Sequence, residues 1–435
     1  MKKKFIKYVS FNMLSQLGMS CYILADTLFI ANGVGLDGLA ALNIVLPIYN
    51  IIFAVGLLLA VGGSTLYSIA RAQKQNDKAS SYYTYCIIIG LIFSLVIMIP
   101  FILFPYQAVT LLGADHQILD TAVIYLKNFI IFTPFFILSS ILVAFIRNDD
   151  NPKLASIAMI SSTMFNILFD YLLIYPMNMG MQGAALATGC SPIVSILICF
   201  IHILQKKNRF HFVKQKIIFS RLIKLIKIGI PAFITELSGG IIIFSFNTII
   251  LSISNNIAVA SYGILSNLGI VISGLYTGLS QGIQPLISYS YGLNNDNEIK
   301  KYLSMAITSS LTISIIVFIS TILFHNIIVS WFNSENSMIM QDIAVTALPL
   351  YVSAFFFIGI NMILTSYFSS ITNVKPSSII SILRGGFILI PIAILLSKLL
   401  GLTGVWLSYP ISECIIMIIG IYLKNNKTKK ICINT

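Results

Sequence analysis

The chain is 435 residues long, 57% hydrophobic and 9% charged, with 27 Lys and Arg against 14 Asp and Glu and a formal net charge of +13. A water-soluble domain carries about 25% charged residues, so the composition excludes a soluble enzyme and leaves no stretch for a soluble catalytic domain. It predicts an all-α integral membrane protein.

Apolar runs of about the 20 residues that a spanning helix needs fall, in chain order, at 10–31, 44–66, 84–104, 122–145, 154–176, 181–204, 227–252, 258–282, 303–325, 344–368, 377–397 and 402–423. These predict twelve transmembrane helices. The first run is followed by many others and has no small-residue cleavage site, so it reads as a mature span and not as a signal peptide. All 27 Lys and Arg except Lys127 and Lys398 fall on one side of the alternating topology. This positive-inside pattern puts both termini in the cytoplasm of a multi-pass cell-membrane protein. Attraction to anionic lipid accounts for the net charge with no nucleic-acid partner. The six cysteines, Cys21, Cys86, Cys190, Cys199, Cys414 and Cys432, show no metal or redox spacing and read as small packing residues in a reducing cell.

A polar stretch after the sixth run divides the chain into an amino-terminal six-helix lobe (1–204), a cytoplasmic linker (205–226) and a carboxy-terminal six-helix lobe (227–435). The halves share sequence at an offset near 220. Ile102-Leu103-Phe104 falls on Ile322-Leu323-Phe324, and Gly180-x-x-Gly183-x-x-Leu186 on Gly401-x-x-Gly404-x-x-Leu407. Six spans per half give the lobes one orientation, related by a pseudo-two-fold axis along the membrane normal.

Four carboxylates lie inside apolar runs: Asp26, Asp170, Glu236 and Glu413. An acid at mid-membrane costs about 2.5 to 3.5 kcal/mol on insertion scales, so an unpaired one is rarely idle. Asp26 and Asp170 each lie about 16 residues from the cytoplasmic start of their spans, roughly 24 Å up. Asn166 precedes Asp170 by one turn on the same face, and Thr188 returns to that level in the sixth span. Asp26, Asn166, Asp170 and Thr188 thus form a candidate cation-coupling set whose oxygens suit a proton or Na⁺. Taken singly, Asn166 and Thr188 have a plainer role in helix packing. Glu236 and Glu413 follow prolines nearer the midplane and are candidates for a cationic-substrate or second proton site, although Arg384 is available to neutralise Glu413. Asp149-Asp150, flanked by Arg147 and Lys153, lacks the second acidic pair of a metal motif and reads as a loop ion-pair cluster. No Walker A or HExxH sequence is present, so neither ATP hydrolysis nor zincin proteolysis is supported.

With these features the sequence resembles the multidrug and toxic compound extrusion (MATE) family, and bacterial multidrug efflux members in particular. The resemblance is carried by Ala25-Asp26-Thr27, by Arg147-Asn148-Asp149-Asp150-Asn151-Pro152-Lys153, by Asn166-x-x-x-Asp170 and by Gly180-x-x-Gly183-Ala184-Ala185-x-Ala187-Thr188, and it extends to Tyr409-Pro410-Ile411-Ser412-Glu413. It implies two six-helix lobes in a V and antiport of organic cations against Na⁺ or H⁺ by alternating access. It places Asp26, Asn166, Asp170 and Thr188 at the family's cation site and Glu236 at its seventh-helix acid. The first span here has no proline, unlike some relatives, which argues against a kink mechanism. The expectation is a monomer in membrane lipid, without cofactor and not an enzyme. A flippase for a lipid-linked amphiphile stays open; an intramembrane prenyl transferase would need the paired acidic motif that is missing.

Overall fold

Every regular element among the described residues is helical, as uninterrupted apolar sequence in lipid requires, because a helix satisfies its own backbone groups. The computed structural model describes residues 1–214, 218–331 and 337–433; Lys216, Glu335 and the side chains of Lys427, Lys429, Lys430 and Cys432 fall outside the described residues. The first half comprises α1 (Lys2–Gly33), α2 (Leu36–Ala72), α3 (Asn76–Leu103), the short α4 (Pro105–Leu111), α5 (Leu119–Ile130), α6 (Thr133–Asn148), α7 (Pro152–Ile174) and α8 (Gly180–Leu204). The second comprises α9 (Phe219–Ile253), α10 (Asn256–Gly292), α11 (Asp296–Ser330), α12 (Met338–Ser353), α13 (Phe355–Ser370), α14 (Val374–Ile382), α15 (Leu389–Leu400) and α16 (Leu402–Ile433).

Helix starts follow local chemistry. Asp37, Asp77, Asp120, Asp296 and Glu298, expected between apolar runs, occupy first turns, where the helix dipole favours negative charge. The side chains of Asn151, Asn255, Asn295 and Ser337 accept from the third residue of the helix that follows.

Among the described residues eleven helical stretches are long and apolar enough to cross a bilayer, and the pair α5–α6 makes a twelfth. Three spans depart from the continuous helices expected. The fourth bends by 49° between α5 and α6, where Pro134 enters the first turn of α6 and cannot continue the preceding ladder. The tenth is broken at Ala354 between α12 and α13, at the position equivalent to that bend in the repeat. The eleventh is interrupted by a π-turn, Leu383–Phe387, in which Gly386 takes φ +118°, and this turn carries Arg384. The recurring glycine motif also has a structural basis. Gly180 is the first residue of α8 and Gly401 the turn residue just before α16, and both take positive φ, +53° and +60°.

The helix of the seventh span begins ahead of its apolar run at 227–252. Helix α9 starts at Phe219, with Arg221 and Lys224 in its first turns and Leu225 and Ile228 buried. This amphipathic extension escapes a hydropathy count because its basic residues lower the average.

Three apolar clusters form the core. One gathers residues of α1–α8 together with Leu225 and Ile228; a second lies wholly within the other half, around Phe246, Tyr262, Tyr351 and Trp406. The third sets Phe5, Tyr8 and Val9, at the start of α1, among Leu279, Ile283 and Ile287 of α10. The halves therefore meet along α1 with α10 and along α2 with α9. At the second crossing a Cβ on Gly62 would strike the Leu225 carbonyl, and one on Gly229 the Leu58 carbonyl, so backbone rests on backbone at the end that carries the chain's amino terminus.

Candidate functional site

Asp26 from α1 and Asp170 from α7 are brought together, carboxyl against carboxyl, with Asn166 one turn below Asp170 and Thr188 entering from α8. All four are buried, Asp170 completely. The Asn166 amide donates to the Thr188 hydroxyl over 3.3 Å. Asp26 Oδ1, both carboxyl oxygens of Asp170 and Asn166 Oδ1 have no hydrogen-bond partner. Buried acceptors without donors are rare in folded proteins because each loses its hydration uncompensated. Two facing carboxylates add repulsion, which a shared proton or a bound cation relieves. The donor set, three oxygen-bearing residue types and no nitrogen or sulfur ligand, fits a hard monovalent ion or a proton. Among the described residues no cluster of three or more His, Cys, Asp or Glu suited to a transition metal occurs.

Three tyrosines that the sequence did not single out surround this pair. Tyr22 precedes Asp26 by one turn on α1, and its hydroxyl meets that of Tyr49 from α2 at 3.0 Å. Tyr125 of α5 stands beside Thr188, and Tyr49 lines the same cavity as Glu236. Spacing i, i+4 from Asp26 was the available signal for Tyr22; for Tyr49 and Tyr125, two among 20 tyrosines, there was none. Phe129 packs against both Tyr49 and Tyr125 and extends an aromatic wall around the acids.

Between the halves lies a cavity lined by residues of both. Tyr22, Tyr49 and Asn166 face it from one half and Glu236, Gln281 and Met362 from the other. Glu236 sits halfway along α9 and has no hydrogen bond or ion pair among the described residues. Glu413 is differently placed. It is buried, accepts from Arg384 Nε at 3.0 and 3.2 Å and from Asn361 Nδ2 at 2.7 Å, and does not line the cavity. Basic groups reach the cavity too: both Arg147 and Arg384 line it. This corrects the expectation that Arg147 belongs to a loop beside Asp149-Asp150.

Gln284 forms the floor. It donates to Ser64 and Thr65 and accepts from Asn148. Below it, Asp149 is buried and receives Tyr67 Oη (2.6 Å), Arg71 Nη1 (2.9 Å), the Arg209 backbone N–H (2.9 Å) and His202 Nε2 (3.1 Å). Asp150 takes Tyr8, Arg71 and Arg209, with Lys4 at 3.8 Å. The ion-pair cluster is therefore present, but with partners drawn from α1, α2, α8 and the segment after α8 instead of the flanking Arg147 and Lys153.

Twelve spans in two halves, a cavity between them and buried unpartnered acids beside it define a membrane transporter. The MatE family model matches residues 12–172 and 231–395, and the chain belongs to that family. The multidrug export protein MepA of Staphylococcus haemolyticus is 29% identical over 387 residues, 88% of this chain and 84% of that protein. MepA of Staphylococcus aureus is 28% identical over 377 residues, 86% and 82% of the two chains. The outward-facing conformation of a multidrug resistance MATE family transporter of the MOP superfamily superposes with TM-score 0.93 at 21% identity, and MATE in complex with MaL6 with TM-score 0.94 at 20%; each likeness covers 99% of this chain and 96% of the other and shows a shared fold. The family is one of transporters, so the chain is not an enzyme.

Proposed function

We propose that this protein is a secondary antiporter that exports organic cations, drugs among them, in exchange for Na⁺ or H⁺ by alternating access. The observation that carries the reading is the buried Asp26–Asp170 pair with its unpartnered oxygens, one helical turn from a tyrosine that faces the central cavity. A cation that enters this pair from outside favours one arrangement of the halves, and an organic cation in the cavity favours the other. Their mutual exclusion couples the two flows. In a one-for-one exchange of monovalent cations the membrane potential cancels, so the coupling ion's concentration gradient drives export, about 1.4 kcal/mol per tenfold; a second coupling ion per cycle adds about 2.3 kcal/mol for its net charge at about 100 mV. Glu236 is the cavity's free carboxylate and is assigned to the organic cation or to a second proton.

The closing contacts at the amino-terminal end, together with the side on which Lys and Arg concentrate, support cytoplasmic termini and a cavity that opens outward. Membrane lipid surrounds a monomer in this reading. Efflux of a fluorescent organic cation from proteoliposomes, with Na⁺ and pH gradients imposed separately, tests it. Uphill export driven by either gradient is expected; export indifferent to both would overturn it.

A further inference from the structure

The cavity has a second free charge, of the opposite sign to Glu236. Arg147, next to last in α6, lines the cavity and is only 5% exposed. Its Nε has no hydrogen-bond partner, and its one recorded polar contact is a long one, 3.9 Å, from Nη2 to the sulfur of Met159. The nearest acids in sequence are occupied. Asp149 is held by Arg71 and His202, and Asp150 by Lys4, Arg71 and Arg209. Arg384, the other base on the cavity wall, is neutralised by Glu413.

A guanidinium cannot shed its proton in a protein, and its planar fork matches a carboxylate in two parallel hydrogen bonds. Buried charge without a counter-ion is costly, and around Arg147 the chain supplies none among the described residues. What remains on its open side is the content of the cavity. We propose that Arg147 is an anion subsite at the deep end of the cavity and takes the carboxylate of a zwitterionic amphiphile whose cationic group lies toward Glu236. The cavity then has two opposite poles, one on α6 of the first half and one on α9 of the second, and a zwitterion engages both halves at once. This rests on the export reading of the cavity given above.

The test uses purified full-length protein and two probes, a rhodamine free acid, which is zwitterionic, and its ethyl ester, which is cationic only. In the unaltered protein, excess benzoate is expected to displace the acid and leave the ester bound. Arg147→Gln should weaken the acid by about tenfold, the worth of a charged hydrogen-bonded pair, and leave the ester within a factor of about two; Arg147→Lys, which keeps charge without the fork, should fall between. Should Arg147→Gln not fold, benzoate competition and Arg147→Lys still decide. Equal loss of acid and ester, or no change in either, overturns the anion subsite and leaves the export reading intact. Failure of the unaltered protein to bind either dye overturns both.

Discussion

The Gln284 amide on α10 donates to the Thr65 hydroxyl on α2 over 2.7 Å and ties the second half to the first beneath the cavity. The same side chain reaches Ser64 and Asn148, so one residue joins three elements at the floor. The alternating access proposed above requires this floor to part.

Gln284→Ala removes the bonds to Ser64, Thr65 and Asn148, each worth about 1 kcal/mol net. Populations should shift toward the form open at the amino-terminal end. Labelling of a cysteine introduced at Ser64, from the side bearing the termini, should speed up several-fold; an unchanged rate would show that the floor is held elsewhere.

Acid-to-amide changes should act in opposite directions at two sites. Asp26→Asn relieves repulsion between unpartnered carboxyls, so thermal stability in detergent should hold or rise while uphill export is lost. Glu413→Gln instead strands Arg384, and breaking a buried pair costs about 3 to 5 kcal/mol. Its melting temperature should fall by several degrees with ion coupling retained in the folded fraction.

Asp149→Asn should be among the most destabilising single changes in the first half. Arg71, His202, Tyr67 and the Arg209 N–H converge on that carboxylate. A loss of about 3 kcal/mol or more is expected, read as poor yield and early melting. Lys4→Ala removes an exposed partner of Asp150 and the ammonium over the Tyr8 and Tyr289 rings, and should cost about 1 kcal/mol.

Asp150 also sets a pH dependence. Burial alone would raise its pKa, but Lys4, Arg71 and the Tyr8 hydroxyl outweigh that and hold it below the usual carboxylate range. A depressed folded pKa contributes stability above the unfolded value, about 3.9, and that contribution is lost as pH falls through the folded pKa. Melting measured from pH 6 down to pH 3 should decline more for the unaltered protein than for Asp150→Asn; parallel curves would remove Asp150 from the account.

The spans were legible because hydropathy measures what lipid demands of a helix, and the four acids stood out against apolar neighbours. Asp26 and Asp170 could be matched by depth alone, since both rise from the same side. Other features depended on contacts between distant segments. Arg71 and His202, 131 residues apart in number, converge on Asp149 only after α2 and α8 pack. Arg147 looked like a loop partner for its acidic neighbours until helix phase turned it into the cavity. The bend at Thr133-Pro134 was visible as a proline yet hidden by the continuous apolar run, and the start of α9 was masked by its lysines and arginine.

The central claim, that the coupling cation occupies the Asp26–Asp170 cluster, is tested most directly by equilibrium binding of a fluorescent organic cation while Na⁺ or H⁺ is raised. If the cluster couples the two ligands, affinity of the unaltered protein falls by about tenfold or more, and in Asp26→Asn/Asp170→Asn it stays flat while the dye still binds. A double variant whose affinity responds to the cation as the unaltered protein does would contradict the claim.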